Sequence, residues 1–313
     1  MRIIEKKEVF EKLSMKECIR LMREAFALLE SGKAMQPARS ICRFSKGEAF
    51  GFMPAYLGED DCFGAKVLSN FPQNAGTEYP SHIGYVILFE SAHGTCLGMA
   101  DAGAITQIRT GAVSGVATDL LARKDAKVLG IIGAGAQGRS HLEAMLAVRP
   151  KLEKVKVYDI RREAALRYQE EMGQKFGVSI EVCQSPEEAA MDADILCTLT
   201  PSKEPYLKAD WIKPGAHINA VGTFSPTTRE VTSELVAKSR LYADQVEAMK
   251  KEAGEYLIPL QEKLITEEHI VGSIGQVLLG KAPGRRDEEE ITLFDALGLA
   301  VEDIICGRYL LSV

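Results

Sequence analysis

A glycine-rich turn carries the clearest chemical signal in this chain. The six residues from Gly133 to Gly138 read GAGAQG, and they follow the apolar run Val128–Ile132 and precede a segment with helical periodicity. In a strand, turn and helix of this kind, the glycines permit a tight turn and a close backbone approach, and the N–H groups that begin the helix face an anion. We therefore predict a dinucleotide site with these contacts: Gly133, Gly135, Ala136, Gln137 and Gly138.

An acidic residue follows where the adenosine ribose of such a cofactor would lie. Asp159 comes directly after a second apolar segment, about 20 residues beyond the glycines, which is the spacing at which a carboxylate accepts from the ribose 2′-OH. Because the same carboxylate repels a 2′-phosphate, NAD is the predicted cofactor. Arg161 and Arg162 follow at once and offer donors to a phosphate. NADP is therefore the less favoured alternative, and Arg161 is counted among the cofactor contacts.

Two later candidate strands, 195–198 and 217–221, lead into small and polar residues. In open α/β sheets, ligands bind outside the carboxyl ends of the strands. We therefore predict that Thr200, Val221 and Gly222 also contact the cofactor.

Three cations in the N-terminal part of the chain, Arg39, Lys66 and Arg109, stand in apolar or glycine-rich surroundings. Arginine binds carboxylates through two parallel hydrogen bonds, and lysine can act as an acid or polarise a carbonyl or imine. Taken singly, each such cation is more often a surface or structural residue. The sequence around each one therefore decides whether it is a candidate functional residue. The five histidines show no metal-ligand spacing, and no metal is predicted.

The elements that must position these residues change in character along the chain. Ser14 is the expected N-cap of a first helix, short β segments follow, and a helix of small residues is predicted over 104–122. From residue 128 onward strands and helices alternate, which indicates a parallel sheet with crossover helices. The tail 291–311 is predicted to be helical. The first group of β segments is 40–44, 49–56, 63–69, 82–90 and 95–101; the strands of the second group are 128–132, 155–158, 179–182, 195–198, 217–221 and 240–243.

The resulting prediction is an α/β protein with a doubly wound Rossmann domain at 123–292. The tail is expected to return to the first part of the chain, so that 1–122 and 293–313 form one discontinuous α+β domain. With 313 residues, of which 46% are hydrophobic, the chain is long enough for two such domains.

Composition also excludes several classes of partner. The net charge is −6 and the two signs are interspersed, which argues against a nucleic-acid partner. The seven cysteines are scattered without a CxxC pair, which indicates reduced thiols. No apolar run approaches the ~18 residues of a membrane span, and the N-terminus lacks a signal pattern. We expect a cytoplasmic protein without a membrane partner.

The surroundings of the three cations resemble the ornithine cyclodeaminase and mu-crystallin family. The similar segments lie around Arg39, at Met53-Pro54-Ala55-Tyr56, around Lys66, and at 105–112. Further similar segments follow in the family's order: 130–138, 218–222, 284–285, 291–294 and 297–303. The resemblance covers nearly the whole chain. It implies hydride transfer between NAD(H) and the Cα of a small amino, imino or keto acid, through an imine.

The resemblance also implies roles for individual residues. Arg39 and Arg109 would hold the substrate carboxylate, and Lys66 would be the ionisable group beside the reacting carbon, so that Lys66 and Arg109 are the catalytic candidates. Met53 would line the substrate pocket, and Thr110 would face the cofactor phosphates. Gly298 is assigned to the cofactor site. The discontinuous domain is thereby assigned to substrate binding and to dimerisation, through the pairing of N-terminal sheets in a homodimer.

One substrate-pocket position departs from the family's pattern. Cyclodeaminases and the alanine dehydrogenase of the family have an aspartate where this chain has Phe224. Because phenylalanine can neither activate water nor pair with a substrate ammonium, a ketimine reductase or amino-acid dehydrogenase is the leading hypothesis. The alternatives are an ornithine cyclodeaminase that forms proline and ammonia with bound NAD, and a non-enzymatic mu-crystallin-like protein that binds NAD(P)H and a small ligand.

Overall fold

The computed structural model describes residues 2–44, 47–59, 61–74, 77–79 and 82–313. By its internal contacts the chain divides into two compact units: unit 1 comprises Met1–Arg109 with Gly298–Val313, and unit 2 comprises Thr110–Leu297. This division differs from the predicted ranges at 110–122 and 293–297, which belong to unit 2. The functions assigned to the two domains stay predictions.

The described residues form two groups of strands. The strands of unit 1 are β1 Arg2–Ile4, β2 Ser40–Arg43, β3 Ala49–Tyr56, β4 Cys62–Asn70, β5 His82–Glu90 and β6 Cys96–Asp101. The strands of unit 2 are β7 Val128–Ile132, β8 Lys154–Tyr158, β9 Ile180–Val182, β10 Ile195–Thr198, β11 His217–Ala220, β12 Ser239–Ala243, β13 Ile270–Ser273 and β14 Ile291–Asp295. The predicted bounds of β3, β5, β7 and β10 are confirmed.

The α-helices connect and cover these strands. They are α1 Lys6–Lys12, α2 Met15–Glu30, α3 Ala102–Leu121, α4 Ala136–Val148, α5 Arg162–Phe176, α6 Pro186–Ala190, α7 Ser233–Lys238, α8 Val246–Glu252, α9 Gly254–Gln261, α10 Ile274–Leu278 and α11 Ala300–Ser312. Ser14 is the N-cap of α2, as predicted, because its side chain accepts a hydrogen bond from the N–H of Glu17.

Unit 1 is built on a six-stranded sheet in the order β1-β6-β5-β4-β3-β2. Only β1 runs parallel to its neighbour among these pairs. Helix α11 packs against β3 to β6 and against α2, and it covers the face that carries Val86 and Leu88, which are fully buried. The opposite face exposes large apolar side chains: Ile3, Phe50, Phe52, Phe63 and Ile83.

Unit 2 is built on an eight-stranded sheet in the order β13-β12-β14-β11-β10-β7-β8-β9, in which every pair is parallel. The strand order runs outward in two directions from β7 and β10, and helices connect successive strands. The predicted doubly wound α/β class is confirmed. This arrangement gathers the carboxyl ends of β7, β8, β10 and β11 at one edge of the sheet.

The prediction for the tail was wrong in its first part. Residues Ile291–Asp295 form β14, which lies between β11 and β12 in the middle of the sheet, and helix begins only at Ala300. A buried strand of a parallel sheet is apolar on both faces, so its sequence does not show the alternation that marks a half-exposed strand. Strands β1 and β13, with three and four residues, were also missed, although β9 and β10 are as short and were predicted. No helix among the described residues is long and apolar enough to cross a membrane.

Candidate cofactor and substrate sites

The glycine turn lies between β7 and α4 in unit 2. Gly133 has φ +107°, and a Cβ there would lie 2.8 Å from the carbonyl oxygen of Leu199. A Cβ at Gly138 would lie 2.3 Å from the carbonyl oxygen of Gly133, so only glycine lets α4 pack this close to the turn. Gly135 is the N-cap of α4 and has open space beside it. The first N–H groups of α4 therefore have room for an anion.

Asp159 is tied to this turn by its carboxylate. Oδ2 accepts from the N–H of Ala134 at 2.9 Å, and Oδ1 accepts from the N–H of Arg161 at 2.9 Å. Each carboxylate oxygen has a second lone pair, so the group retains the capacity to accept from a ribose hydroxyl. The Arg161 side chain is 74% exposed, with Nε 3.8 Å from the Asp159 carboxylate. Arg162 instead donates to Gln184.

The residue between Asp159 and Arg161 was not predicted as a contact. Ile160 is 89% exposed, the largest exposure among the large apolar side chains of the described residues. A branched aliphatic side chain in water, next to the proposed ribose acceptor, offers an apolar surface to an adenine ring. Its exposure is visible only in the structure, because no periodic pattern in the sequence predicts it.

A buried carboxylate joins the ends of β10 and β11. Glu230 Oε1 accepts from the N–H and hydroxyl of Thr200 at 2.8 and 2.7 Å and from the Tyr206 hydroxyl at 2.7 Å. Its Oε2 accepts from the N–H of Gly222 at 2.9 Å. A Cβ at Gly222 would lie 2.2 Å from the Thr200 carbonyl oxygen. Thr200 and Gly222, predicted as cofactor contacts, are thus brought together. The N–H of Val221 donates a hydrogen bond to the carbonyl oxygen of Thr198, at the end of β10.

Further buried acids lie close to Glu230. Glu255 accepts from the N–H of Glu230 at 2.8 Å and from the Thr223 hydroxyl at 3.1 Å. Burial raises the pKa of Glu255 to about 7, and the neighbouring Glu230 carboxylate adds to the increase. Burial also raises the pKa values of Glu230 and Asp295, the latter strongly. These carboxyl groups therefore hold protons more tightly than exposed acids do.

The remaining predicted residues of unit 2 lie in different surroundings. Thr110 is buried in α3, and the next residue, Gly111, allows α3 to contact Ser140 of α4, because a Cβ there would lie 2.4 Å from Ser140 Oγ. Gln137 Oε1 is buried without a hydrogen-bond partner among the described residues. Phe224 lies beyond β11 with its side chain 67% exposed. An aromatic ring held in water at this edge is available to a ligand.

In unit 1, the fold brings Lys66 together with acids of α11. Lys66 lies on β4, directly opposite Met53 of β3, on the face that α11 covers. Its Nζ is 2.8 Å from Asp303 Oδ2 and donates to the Thr106 hydroxyl at 3.4 Å. Burial lowers the pKa of Lys66, while the Asp303 carboxylate acts in the opposite direction. A buried lysine with a lowered pKa is suited to proton transfer.

Arg109 shares these acids. Its Nη1 donates to Glu302 Oε2 at 2.8 Å and its Nε to Asp303 Oδ1 at 3.3 Å. Burial opposes the charge of Arg109, but the two carboxylates outweigh it and raise the pKa further above its ordinary value. Two buried cations and two buried carboxylates therefore form a balanced set, which we call the α11 quartet: Lys66, Arg109, Glu302 and Asp303.

Arg39 reaches the same region through Gly298. Its Nη2 donates to the Gly298 carbonyl oxygen at 3.2 Å, and the missing side chain of Gly298 leaves room for the Arg109 guanidinium. Gly298 was predicted as a cofactor contact, whereas its described contacts are with the two arginines.

Unit 1 thus gathers Arg39, Met53, Lys66 and Arg109, all four of its predicted substrate residues. The partners that sequence reasoning missed are Thr106, Glu302 and Asp303. The last two lie in the closing motif at 297–303, which carried a resemblance but no assigned chemistry.

One group of potential metal ligands lies elsewhere, on the edge of unit 2. Atoms of Glu181, Cys183 and Glu188 lie within 4.8 Å of one another. Their carboxylates already have partners, since Glu181 pairs with Lys154 and Glu188 accepts from the N–H of Gln184. The group therefore has no feature that calls for an ion.

Comparison with known proteins shows the class of the chain. The sequence model of the ornithine cyclodeaminase/mu-crystallin family matches residues 2–311. The chain belongs to this family, and the resemblance found from its motifs is confirmed.

Several relatives are similar over most of their length. Ketimine reductase mu-crystallin of Mus musculus is 36% identical over 278 residues, with 88% of this chain and 84% of the relative covered. The structure of Thermococcus litoralis Δ1-pyrroline-2-carboxylate reductase with NADH and L-proline has a TM-score of 0.95 and 39% identity, covering 100% of this chain and 97% of that one. An archaeal alanine dehydrogenase, solved as a dimer with bound NAD, has a TM-score of 0.93 and 35% identity, covering 99% and 94%.

Proposed function

We propose that this protein is an NAD(H)-dependent oxidoreductase that acts on C–N bonds, moving hydride between nicotinamide and the Cα of an amino or imino acid. The observation that carries the proposal is the buried contact set of Lys66, Arg109 and Asp303. A lysine buried beside an arginine and against acids is costly to maintain for stability alone. Perturbed ionisable groups of this kind cluster at functional sites.

The residues of unit 2 fit NAD. The turn at Gly133, the open N-terminus of α4 and the Asp159 carboxylate match the needs of a pyrophosphate and a ribose with a free 2′-OH. Ile160 provides the apolar surface for the adenine. When bound, NADH supplies a hydride to the imine carbon.

The residues of unit 1 supply binding and proton transfer. Arg39 and Arg109 hold the substrate carboxylate, and Lys66 gives its ammonium proton to the imine nitrogen as the C–H bond forms. In the oxidative direction the neutral Lys66 amine accepts that proton from the substrate. Burial of Lys66 excludes water from the proton that is transferred.

Phe224 favours substrates without a distal charge. An aromatic ring gives no partner to the second ammonium of ornithine or lysine, and a poorly compensated cation costs binding energy. Cyclic imino acids and keto acids with apolar side chains lose nothing at this position. The proposed substrates are therefore neutral or cyclic α-imino acids.

The proposal includes a homodimer. The exposed face of the unit 1 sheet carries aromatic and branched side chains from several strands, with Phe63 and Phe89 stacked at 5.4 Å between ring centroids. Contiguous apolar surface of this kind is normally covered by a partner, and the archaeal relative was solved as a dimer. A second copy of this chain is the proposed partner, and the cytoplasm, where thiols stay reduced, is the proposed location.

The test is a screen at fixed NADH for oxidation by cyclic imino acids and by keto acids with ammonia or methylamine. A parallel screen follows NAD reduction by amino acids. We expect turnover with at least one imino acid, and loss of turnover in Lys66→Met. Lys156→Met is the matched control, because Lys156 is also buried but donates to backbone carbonyls of unit 2. Full activity in Lys66→Met, or ammonia release from ornithine without net NADH formation, contradicts the proposal.

A further inference from the structure

The closing motif of the chain contains two adjacent acids, Glu302 and Asp303, and both are completely buried in α11. A buried carboxylate is tolerated only when cations or hydrogen bonds compensate it. Lys66 and Arg109 provide that compensation. The two acids therefore belong to the same charge balance as the residues proposed to bind and protonate the substrate.

The two acids do not contact the same cations. Glu302 contacts Arg109 alone, through Nη1 at 2.8 Å. Asp303 contacts both cations, because Oδ1 lies 3.3 Å from Arg109 Nε and Oδ2 lies 2.8 Å from Lys66 Nζ. The Thr106 hydroxyl connects the same pair, accepting from Lys66 at 3.4 Å and donating to Asp303 at 3.5 Å. Asp303 is thus the acid in direct contact with the lysine.

The charges that face Lys66 come from two elements, α3 and α11, and act in opposite directions. Burial and the Arg109 guanidinium of α3 disfavour the ammonium form and lower the pKa of Lys66, whereas Asp303 and, more weakly, Glu302 of α11 favour that form. Asp303 is the largest of the favourable contributions. Without its carboxylate, the Lys66 ammonium would stand in a buried site beside a second cation.

We propose that Asp303 is a positioning residue that keeps Lys66 protonated and holds its ammonium group in one orientation. The neighbouring Glu302 instead compensates the charge of Arg109. The inference rests on the proposed function. As the imine is reduced, its carbon gains the hydride of NADH and its nitrogen gains a proton from Lys66, which becomes a neutral amine. After the product has left, Lys66 regains a proton from solvent. Asp303 itself transfers no atom in this step.

The experiment compares the pH dependence of kcat/KM for imine reduction in the wild type, Asp303→Asn and Glu302→Gln. Loss of the Lys66 proton produces an alkaline limb in this profile. An opposite charge within about 4 Å shifts an ionisation by about one to three pH units. We therefore expect the alkaline limb of Asp303→Asn to move down by at least about one unit. In Glu302→Gln the limb moves by less than in Asp303→Asn, because Glu302 contributes less to the charge of Lys66, while KM for the substrate rises, since that change loosens Arg109.

The imine substrate itself titrates, but this ionisation affects the profiles of all variants at the same pH. A limb that moves between variants therefore reports an ionisation of the enzyme. Thermal unfolding and the fluorescence-measured Kd for NADH verify that each variant is folded. If Asp303→Asn does not fold, Thr106→Val removes one hydroxyl contact from each partner without a change of shape, and a smaller shift in the same direction is expected.

An alkaline limb that does not move in Asp303→Asn or in Thr106→Val overturns this inference and leaves the proposed function intact. An equal shift in Glu302→Gln also overturns it, because the effect would then be one of general charge balance. Absence of imine reduction by the wild type overturns the proposed function itself, and the inference with it.

Discussion

Gly298 lies against the Arg109 guanidinium, and a side chain at 298 would have to displace it. A Cβ at Gly298 would lie 2.8 Å from Nη1 and 3.0 Å from Nη2 of Arg109, and the residue has φ +80°. Its carbonyl oxygen also accepts from Arg39. One glycine in unit 1 therefore sets the approach of both arginines that are proposed to hold the substrate carboxylate.

Gly298→Ala is expected to displace the Arg109 guanidinium and lower kcat/KM by about 10- to 100-fold, as small displacements of a positioning group do. Steady-state kinetics with an imino acid measure this effect. Gly94→Ala is the matched control, because Gly94 has φ +72° with nothing within 4 Å of its Cβ position. Both variants bear a backbone cost of about 1–2 kcal/mol. Equal kinetics in the two would show that strain alone, and not the contact with Arg109, matters.

Asp159→Ser is expected to weaken NADH and to improve NADPH relative to it. The serine removes the charge that repels a 2′-phosphate, and the exposed Arg161 then offers a donor to that phosphate. We expect about a tenfold change in the ratio of the two Kd values, which corresponds to about 1.4 kcal/mol. Fluorescence titration measures both. Tighter binding of NADPH than of NADH by the wild type would show that Asp159 does not contact the ribose.

Phe224→Asp is expected to shift substrate preference toward ornithine and lysine. The new carboxylate provides a partner for a distal ammonium, and a charged hydrogen bond contributes about 1.5–3 kcal/mol. The ratio of kcat/KM for diamino acids to that for a neutral amino acid measures the shift. Phe224→Leu is the control, since it changes shape without adding charge. Efficient ornithine turnover by the wild type, unaltered in Phe224→Leu, would show that Phe224 does not determine substrate preference.

Phe52→Lys is expected to yield a monomer, because a charge would be buried within the proposed sheet interface. Multi-angle light scattering at micromolar concentration gives the mass. Leu166→Lys in α5 is the control, as Leu166 is 44% exposed and Phe52 is 42% exposed. A monomeric wild type, or dissociation by Leu166→Lys alone, would contradict the assignment of this face.

The stability of the protein is expected to fall as the pH rises from about 5 to about 7.5. Burial raises the pKa of Glu255 from its ordinary value of 4.5 to about 7 in the folded state. Between these two values the folded protein binds more protons than the unfolded chain, so the free energy of unfolding decreases with pH in that window, by at most about 3 kcal/mol. Glu255→Gln keeps the hydrogen-bond acceptor and should flatten that part of the profile. Chemical denaturation at several pH values measures it, and an unchanged slope in the variant would assign the effect to other groups, such as Asp295.

Local patterns were enough to place much of unit 2. The glycine spacing, the apolar runs and Asp159 are separated by short stretches of chain, and the strand, turn and helix that they form is decided by interactions within those stretches. The bounds of β7 and β10 were therefore obtained from the sequence, as was the N-cap Ser14 in unit 1. The cations Arg39, Lys66 and Arg109 were recognised too, although only through a resemblance.

Only the tertiary structure showed which acids compensate the charges of those cations and where the last strand, β14, enters its sheet. Glu302 and Asp303 are about 190 residues from Arg109 along the chain, so no periodicity connects them, and only the packing of α11 on the sheet of unit 1 brings the acids to Lys66. Similarly, β14 lies between β11 and β12 in the middle of the second sheet. Side chains on both of its faces are buried, so it lacks the alternation that marks a half-exposed strand. Periodic patterns record the local environment of a segment, whereas charge balance and strand order arise between distant segments.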